Sequence, residues 1–538
     1  MRIAVYDRWW STVGGGEKFA GGVAEVLSQD HHVTLMAHEP VDRDWLGERL
    51  TLDLSRTEVE LIGEASRLER ASAAHDLLIN LSYRSSDRNG APHGLYVVHF
   101  PHDPFEMLPP RQADLLRKVG PYLAARHPRY EVREGFYPAD LLRASKVWWT
   151  DGEGEIVVPV AAGERTTVRL FIPQMIAGDR TVPAQIYRDD ELVASIEVGP
   201  PRSRKDVLLP QIVSIPVTGR ADGKPVRIIV RSEIWIPDDY LHNNDIRTMG
   251  IPVSGIMVGN APMGLGRAYA SLFEAYPPSI GYLDSYDRIL ANSAFTQHWV
   301  REYWGRDSDL LYPPVGLRTP TDPSAPGRDK EPIILSVGRF FAADRGHSKK
   351  QIEMVRAFRA LLARRDVQAL PDIDTWQLHL VGGCSADDRP YLDEVRAEAQ
   401  GLPIVFHVDA PGEELDDLYR RASIYWHASG MGEDAQVNPV RMEHFGITTV
   451  EAMSAGAVPV AYGEAGPLEA FDHGVEGFHF HTEDELVGAT VELWKHPALL
   501  AKMRVAAIAK AESFGMTAFS ERVHAYVNEV AAQPVRPH

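Results

Sequence analysis

Residues 443–460 read Glu443-His-Phe-Gly-Ile-Thr-Thr-Val-Glu451-Ala-Met-Ser-Ala-Gly456-Ala-Val-Pro-Val460, and this stretch decides the fold. Its pattern predicts a helix over residues 449–456 that Gly456 ends, followed by a short apolar strand. A helix that leads directly into a buried strand is typical of an α/β domain. Glu443 and Glu451 stand eight positions apart around the helix start, so the same stretch also carries a pair of carboxylates.

The start of this helix is a candidate ligand site. A helix N-terminus that follows a glycine, here Gly446, offers backbone N–H groups and a positive dipole end, which suit a diphosphate. Glu451 in the first turn can accept hydrogen bonds from a ribose diol, and Glu443 in the preceding loop can accept them from sugar hydroxyls. The alternative is structural, because Thr448-x-x-Glu451 also has the form of a capping box, in which Glu451 would satisfy only its own helix end.

Strand and helix patterns of the same kind occur in two parts of the chain. Residues 3–6 form a predicted strand, and a glycine turn at residues 14–16 and an apolar helix face follow it. A second unit begins with the predicted strand at residues 333–338. Strand, turn, helix and strand repeated in this order predict parallel sheets covered by helices.

A different pattern separates these two units, from about residue 145 to residue 258. Val168, Leu170 and Ile172 recur with a period of two, as in strands with one buried face. Asp189-Asp190 lies between two strand-like runs, as at the tip of a hairpin. The segment is therefore predicted to be an inserted antiparallel β-sandwich.

Composition excludes several classes of protein. The chain has 538 residues and a formal net charge of −19 at pH 7, which argues against nucleic acid as a partner but leaves nucleotide-sized ligands open. Its single cysteine, Cys384, excludes an intrachain disulfide and favours a reducing compartment. No signal-peptide core is recognised, and no uncharged apolar run approaches the roughly 18 to 20 residues of a spanning helix. We therefore expect a cytoplasmic protein.

Four motifs, in order along the chain, resemble those of the GT4 family of GT-B glycosyltransferases. The Glu443 to Glu451 stretch resembles the family's E-x7-E signature, and Gly14-Gly15-Gly16-Glu17 resembles its N-terminal glycine loop. Val337-Gly338-Arg339-Phe340, with His347-Ser348-Lys349-Lys350-Gln351, resembles its Gly-Arg…Lys phosphate-binding stretch, and residues 463–469 resemble its Gly-Gly-x-x-Glu turn. The His-Ser-Lys-Lys-Gln and Glu-His-Phe-Gly-Ile forms are most similar to those of eukaryotic-type lipid-linked-oligosaccharide mannosyltransferases and their bacterial relatives. The resemblance covers residues 1 to about 110 and 285 to 515, and leaves the insert unexplained.

The resemblance implies a GT-B fold, in which two Rossmann-like domains face each other across a cleft and the sandwich is inserted into the N-terminal one. The implied domains are residues 1–144, the first part of the N-terminal, acceptor-side domain; 145–258, the sandwich; 259–325, the second part of that domain and a linker; 326–515, the donor-binding C-terminal domain; and 516–538, a helical segment that packs back on the N-terminal domain.

The resemblance also assigns roles to single residues. Arg339 and Lys349 should hold the donor diphosphate and offset the charge that develops as the glycosidic bond breaks. His99 follows a predicted strand and should lie near the anomeric carbon and the hydroxyls of the donor sugar, with His102 as its rival. The implied catalytic residues are His99, Arg339, Lys349 and Glu443. The implied donor contacts are Gly15, Gly16, Arg339, Lys349, Glu443, Phe445, Gly446, Ile447, Thr448 and Glu451.

The implied activity is retaining transfer of a sugar from a nucleotide-diphosphate sugar to a hydroxyl of a glycan or lipid-linked saccharide, with no cofactor and no metal. Asp372-Ile-Asp374 has the D-x-D form of a metal site but lies in a predicted loop. Two other interpretations stay open. One is a phosphorylase-like or epimerase-like GT-B enzyme, and the other is a carbohydrate-binding scaffold with an inactive GT-B core, in which residues of the sandwich such as Trp235 bind glycan.

Two features leave alternatives open. A locally basic stretch could contact an anionic membrane surface, or it could be an ordinary solvated amphipathic helix; it contains Arg111, Arg117, Lys118, Arg126, Arg129 and Arg133. The family turn has two adjacent glycines where this chain has Ala465-Gly466. The alanine methyl group could narrow the donor pocket, or the turn could tolerate it.

Overall fold

The structure is a computed structural model of the 538-residue chain. It describes residues 1–63, 68–105, 111, 113, 115, 118, 130–137, 140–142, 145–201, 210–241, 247–259, 280–318, 327, 330–342, 348–370 and 373–535.

The strands of these residues, in chain order, are β1 (Arg2–Tyr6), β2 (His32–Ala37), β3 (Thr57–Leu61), β4 (Leu77–Asn80), β5 (His93–Val98), β6 (Glu131–Val132), β7 (Asp140–Leu142), β8 (Ser145–Trp149), β9 (Glu153–Val158), β10 (Arg165–Ile172), β11 (Val182–Arg188), β12 (Glu191–Val198), β13 (Gln211–Thr218), β14 (Val226–Ser232), β15 (Pro252–Val253), β16 (Gly255–Val258), β17 (Arg288–Ala291), β18 (Asp309–Leu310), β19 (Glu331–Val337), β20 (Gln377–Gly382), β21 (Ile404–Val408), β22 (Ala422–His427), β23 (Val458–Tyr462) and β24 (Phe478–Phe480).

The α-helices of the same residues are α1 (Gly15–Leu27), α2 (Arg43–Leu50), α3 (Leu68–Ser72), α4 (Asp238–Leu241), α5 (Ala294–Trp304), α6 (Gln351–Ala363), α7 (Arg365–Gln368), α8 (Arg389–Glu398), α9 (Gly412–Arg421), α10 (Ile447–Ser454), α11 (Pro467–Ala470), α12 (Glu483–Lys495), α13 (Pro497–Ala511) and α14 (Met516–Ala531).

The N-terminal domain is built on a parallel sheet of seven strands in the order β18-β17-β5-β4-β1-β2-β3. Apolar runs such as Ile3 to Val5 are fully buried between helices, as expected for strands covered on both faces. Helix α14 packs on this domain, where Phe519 contacts Phe19 of α1 with ring centroids 5.8 Å apart. The strand order reverses direction between β1 and β4, and such a switch point is where doubly wound sheets bind ligands.

The C-terminal domain repeats this architecture. Its six parallel strands lie in the order β21-β20-β19-β22-β23-β24, so the switch point falls between β19 and β22. Its core includes the fully buried Phe358 and Trp426.

The insert is antiparallel, and its strands lie between Glu131 and Val258. A sheet of five strands (β12-β11-β14-β9-β6) and a sheet of three (β13-β10-β16) share one core, in which Val168 and Ile172 are fully buried. Asp189 and Asp190 form the loop of the β11–β12 hairpin, with Asp189 at φ 50°. Antiparallel pairing thus begins at β6, before the start at residue 145 that the sequence suggested.

Two doubly wound parallel sheets with an antiparallel insert confirm the predicted fold class. The proline-rich linker at 320–326 lies outside the described residues, as does most of the stretch between the sandwich and β17.

Candidate functional site

The candidate site lies where the first turns of α1 and α10 meet. Helix α1 follows β1 in the N-terminal domain, and α10 lies between β22 and β23 in the C-terminal domain. A methyl group on Gly15 would stand 3.7 Å from Cδ1 of Ile447, so the two first turns are in near contact. Both switch points therefore border one cleft.

Helix α10 has glycine at both ends. Gly446 precedes its first residue at φ 94°, a left-handed conformation that favours glycine. At the other end Gly456 has φ 84°, its N–H donates to Met453 O at 2.9 Å, and Ala457 N–H donates to Ala452 O at 2.9 Å. These two bonds form a Schellman ending, which confirms the predicted glycine stop. Among the described residues no side-chain cap is recorded for this helix, because the cap residue is Gly446, so the leading N–H groups of α10 lack a capping oxygen there.

The capping-box interpretation of Thr448 and Glu451 is wrong. The cap position belongs to Gly446, which makes Thr448 the second helical residue and Glu451 the fifth. A capping box needs these residues at the cap and at the third position. The Glu451 carboxylate instead binds groups outside its own helix.

Glu443 forms a charged cluster with two residues of the same domain. Its Oε2 lies 2.5 Å from Nζ of Lys349 and 3.1 Å from Nε2 of His427. The Glu443 and Lys349 side chains are both largely buried, with exposed fractions of 14% and 19%. The structure thus brings together two of the residues that the sequence assigns to the donor.

His427 is a site residue that the sequence reasoning missed. It is the last residue of β22 and is 3% exposed, and its Nδ1 has no hydrogen-bond partner among the described residues. The position at the carboxyl end of a buried strand is the same signal that pointed to His99.

Glu451 is held by groups from three parts of the chain. Its Oε1 lies 3.0 Å from Nη1 of Arg318 and 3.7 Å from Nζ of Lys18 on α1, and its Oε2 accepts a hydrogen bond from Tyr419 OH at 3.0 Å. Arg318 also stacks over the Tyr419 ring at 4.5 Å and donates from Nε to Asp416 at 2.7 Å. Sequence reasoning missed Lys18, Arg318 and Tyr419.

Arg339 and Lys349 differ in their surroundings. Arg339 follows β19 with an exposed side chain, whose guanidinium lies 6.0 Å from the ring of Phe341. Gln351 steadies the loop below it, since its Nε2 donates to the carbonyl oxygens of Gly338 and Arg339 at 3.2 and 3.1 Å. Arg339 can therefore meet a phosphate from solvent, whereas Lys349 is already paired with Glu443.

The two neighbouring lysines take separate partners. Lys350 has φ 57° and its Nζ binds Glu433 at 2.9 Å, while Lys349 reaches Glu443. Lys349 is thus the lysine that contacts Glu443, while its role toward the donor stays a prediction. His347 of the same motif lies outside the described residues.

The glycine loop and His99 form the N-terminal wall. A methyl group on Gly16 would lie 3.6 Å from Cε1 of His99. His99 Nε2 lies 2.6 Å from the Leu81 carbonyl oxygen, and because that oxygen can only accept, Nε2 carries the proton and Nδ1 is left as an acceptor. Burial lowers the pKa of His99, which keeps the ring neutral near pH 7. The rival His102 packs edge-on against Trp304, with ring centroids 5.5 Å apart.

Asp7 lies directly after β1 at the same end of the sheet and is 1% exposed. Burial raises its pKa to about 8, and the nearby negative Glu17 adds to this, while the hydrogen bond from Trp9 N–H at 2.9 Å opposes it. Asp7 therefore carries a proton for much of its time near neutral pH.

The remaining predicted donor contacts are divided between core and cleft. The Phe445 side chain packs among Tyr312 and Phe514 at centroid distances of 5.3 and 5.4 Å, so a donor contact from this residue would come from its backbone. Ile447 and Thr448 are half-buried in the first turn of α10.

The turn after β23 contains the departure noted in the sequence. Ala465 has φ 58°, a left-handed conformation that strains an alanine. A methyl group on Gly466 would lie 2.4 Å from the backbone of Phe445, so only glycine fits there. The methyl group of Ala465 is thus accommodated through backbone strain.

Glu469 joins the two domains. Its carboxylate accepts hydrogen bonds from the N–H groups of Ala294 and Phe295 at 2.7 and 2.9 Å, at the start of α5 in the N-terminal domain. Tyr312 OH donates to it at 3.0 Å. A C-terminal-domain side chain therefore caps a helix of the N-terminal domain.

The features outside the cleft are less specific. Trp235 is 4% exposed and donates from Nε1 to Gly250 O at 2.9 Å, so it is a core residue of the sandwich and not a glycan platform.

In the basic stretch, Arg111 and Lys118 are exposed and Arg133 pairs with Glu131, while Arg117, Arg126 and Arg129 lie outside the described residues. Across the part of the chain that the structure describes, no helix is long and apolar enough to cross a membrane.

Comparison with solved structures identifies the fold. The whole chain superposes on Anabaena Alr3699/HepE in complex with UDP with a TM-score of 0.52 and 12% identity, covering 98% of this chain and 100% of that one. A glycosyltransferase from Rickettsia africae ESF-5 gives a TM-score of 0.52 and 12% identity, with 99% of both chains covered. At such low identity these matches establish the fold, which is GT-B.

Sequence comparison matches parts of the chain to a glycosyltransferase family and to mannosyltransferases. Residues 319–513 match the family described as glycosyl transferases group 1. The chain is 28% identical over 190 residues to the Homo sapiens GDP-Man:Man(3)GlcNAc(2)-PP-Dol alpha-1,2-mannosyltransferase, which covers 34% of this chain and 35% of that relative. It is 26% identical over 294 residues to the Mus musculus alpha-1,3/1,6-mannosyltransferase ALG2, which covers 49% and 65%. The chain therefore spans less than two thirds of the length of either relative. The comparisons thus agree with the motifs in two respects: the fold is GT-B, and residues 319–513 are similar to glycosyl transferases group 1.

Proposed function

We propose that this protein is a retaining, metal-independent glycosyltransferase that moves a sugar from a nucleotide-diphosphate sugar to a hydroxyl group of a glycan or lipid-linked saccharide. The observation that carries the proposal is the arrangement around the first turn of α10. Glu443 precedes that turn and is paired with Lys349, and Glu451 follows it and is paired with Arg318. The names of the human and mouse relatives, both mannosyltransferases, support sugar transfer.

The donor would bind mainly to the C-terminal domain. The uncapped N–H groups of α10 suit a diphosphate, and exposed Arg339 adds a cation that can reach it from solvent. Glu451, deep in the second turn, would accept the ribose hydroxyls. Glu443 would accept hydrogen bonds from hydroxyl groups of the transferred sugar, and His427 could form one with the same sugar. Lys349 would lie between Glu443 and the phosphate.

Transfer would proceed on one face of the sugar. The bond from the anomeric carbon to the phosphate oxygen breaks, the bond to the acceptor oxygen forms on the same face, and the departing phosphate takes the acceptor proton. Lys349 and Arg339 stabilise the charge that grows on the leaving diphosphate, so the cationic role that a metal often fills would be met by side chains. No protein nucleophile is needed in this scheme.

The N-terminal wall would receive the acceptor. At this wall Gly15 and Gly16 would permit close approach of the backbone to the donor, and neutral His99 would present Nδ1 as an acceptor for a hydroxyl group of the donor sugar. A peripheral membrane contact through the basic stretch around Arg111 and Lys118 would suit a lipid-linked acceptor. We expect the protein to work in the cytoplasm.

A ligand panel tests the proposal. UDP, GDP, UDP-glucose and GDP-mannose are added in turn to the purified chain with and without EDTA, and thermal unfolding is followed. A ligand at about 100-fold its dissociation constant adds roughly 2.7 kcal/mol of stability. We expect one nucleotide series to stabilise the protein, with or without EDTA, and NMR of the product to show a retained anomeric configuration.

Different results would contradict different parts of the proposal. An inverted product contradicts the retaining mechanism, and loss of transfer in EDTA contradicts metal independence. If no nucleotide stabilises the chain and glycans alone do, the scaffold interpretation replaces the enzyme.

A further inference from the structure

Glu451 has two cations beside one of its carboxylate oxygens. Arg318 Nη1 lies 3.0 Å and Lys18 Nζ 3.7 Å from Oε1, while Tyr419 OH binds Oε2 at 3.0 Å. A carboxylate offers about four acceptor positions, two on each oxygen. Arg318 and Tyr419 each use one, so one position remains on each oxygen.

A ribose diol would need both remaining positions, because each of its hydroxyl groups donates one hydrogen bond. The hydroxyl that approaches Oε1 would meet the Lys18 ammonium, which is drawn to the same atom. Since Glu451 is buried to all but 8% of its side chain, there is little room for a third donor beside Oε1. One of the present partners therefore has to withdraw when a diol binds.

Arg318 and Tyr419 are built into the site and cannot leave easily. Arg318 also binds Asp416 at 2.7 Å and the Gly316 carbonyl at 3.1 Å, and its backbone N–H donates to Ser454 at 2.9 Å. Tyr419 is fully buried. Lys18 differs in each respect, since its side chain is 27% exposed and its distance to Glu451 exceeds that of a hydrogen bond.

We propose that Lys18 is a positioning residue which occupies the ribose-side carboxylate before the donor arrives, and which the donor ribose displaces. This inference rests on the proposed function, because it takes Glu451 as the ribose acceptor. Lys18 is the fourth residue of α1, directly after the glycine loop, so its release would also loosen the first turn of α1 from α10. Donor binding and the placement of the glycine loop are thereby coupled.

The test is a cycle of variants with calorimetric titration of UDP and GDP. Lys18→Met removes the charge and keeps the length of the side chain, and we expect the nucleotide that binds the wild type to bind about two- to five-fold more tightly. That range corresponds to a partly exposed ion pair. Lys18→Arg should bind like the wild type, and Lys502→Met, at an exposed position of α13, serves as the matched control without effect.

A Glu451→Gln background separates competition from other causes. The carboxamide does not attract Lys18 as an ion partner, so adding Lys18→Met to it should leave the affinity unchanged. A purely structural lysine would lower the unfolding temperature of Lys18→Met without tightening nucleotide binding.

Each contrary result has one meaning. If Lys18→Met weakens binding or leaves it unchanged in the wild-type background, Lys18 does not compete with the nucleotide and the inference is overturned. If it tightens binding equally in the Glu451→Gln background, the effect does not pass through Glu451 and the inference is again overturned. If neither nucleotide binds the wild-type protein, the proposed function fails, and the inference fails with it.

Discussion

The two sheets of this molecule reverse their strand order in the same way, but the side chains at the two switch points differ in charge. At the C-terminal switch point, Glu443 and Glu451 each lie beside a cation, at 2.5 and 3.0 Å. At the N-terminal switch point, burial shifts Asp7 and His99 toward their neutral forms, with the Asp7 pKa at about 8 and the His99 pKa lowered. Strand order thus sets where ligands can bind, and local partners decide which charge they meet.

The contrast has a chemical reason if the proposed reaction is correct. A nucleotide-diphosphate donor carries charge, and fixed ion pairs that can open toward it favour its binding and its departure. An acceptor hydroxyl is uncharged, and Asp7 and His99 in their neutral forms place no charge of their own beside it. Four variants would break or sharpen this comparison.

The largest effect is expected from Glu443→Gln. The variant removes the partner of Lys349 and a hydroxyl acceptor of the transferred sugar, so sugar transfer should fall about 100- to 1000-fold. Nucleotide affinity, measured by calorimetry, should change by less than about threefold. Glu433→Gln is the matched control, because Glu433 pairs with the neighbouring Lys350. Equal losses of sugar transfer in both variants would mean that Glu443 has no specific role in transfer.

The next effect concerns Asp7 and pH. Its folded pKa of about 8 exceeds the value of about 3.9 in an unfolded chain, so the folded state binds the extra proton between these values. Stability should therefore fall as pH rises through this window. Asp7→Asn should raise the free energy of unfolding at pH 9 by about 2 to 3 kcal/mol and flatten this dependence.

Urea unfolding at pH 6 and pH 9 measures the Asp7 effect. Asp190→Asn, at the exposed hairpin tip, should show none of it. A wild-type stability that does not decline over this range would mean that Asp7 is ionised in the fold.

Glu451→Gln should mainly affect binding. Loss of the charged acceptor should weaken nucleotide affinity about tenfold, while transfer at saturating donor should fall less than in Glu443→Gln. Separate measurement of KM and kcat for the donor distinguishes the two glutamates. If both variants lower kcat alone, the assignment of ribose to Glu451 and sugar to Glu443 is wrong.

The smallest effect is expected from Ala465→Gly. Glycine adopts φ 58° without strain, so the variant should gain about 0.5 to 1 kcal/mol in unfolding free energy after the greater freedom of the unfolded chain is included. Ala360→Gly in helix α6 provides a control of opposite sign, with a loss of about 1 kcal/mol. Calorimetric scans of both variants compare them directly.

The fold could be predicted because its signals are local. Buried runs such as Ile3 to Val5 and the period-two pattern from Val168 to Ile172 specify strand type before any tertiary contact is known. The start of the insert was placed too late because β6 is two residues long and too short to show a period.

The site was predictable where motif residues contact each other and unpredictable elsewhere. Glu443 and Lys349 were both expected, and they pair although 94 positions separate them. His427 ends an apolar strand and looks like a core residue, and Arg318 stands next to a proline-rich stretch with no motif around it. The side-chain direction of Phe445 depends on the packing of Tyr312 and Phe514, which the spacing of the motif does not encode.

The hydrogen bonds from the first N–H groups of α5 to Glu469 limit how the two domains of this protein can be recombined with foreign ones. A chimera that joins this C-terminal domain to a foreign N-terminal domain would keep Glu443, Lys349 and Glu451 and still lose the N–H groups that donate hydrogen bonds to Glu469. The half-buried carboxylate would then lack partners, and the foreign helix would begin without its external cap. Successful domain exchange would therefore require residues 293–295 and Glu469 to be transplanted as one unit.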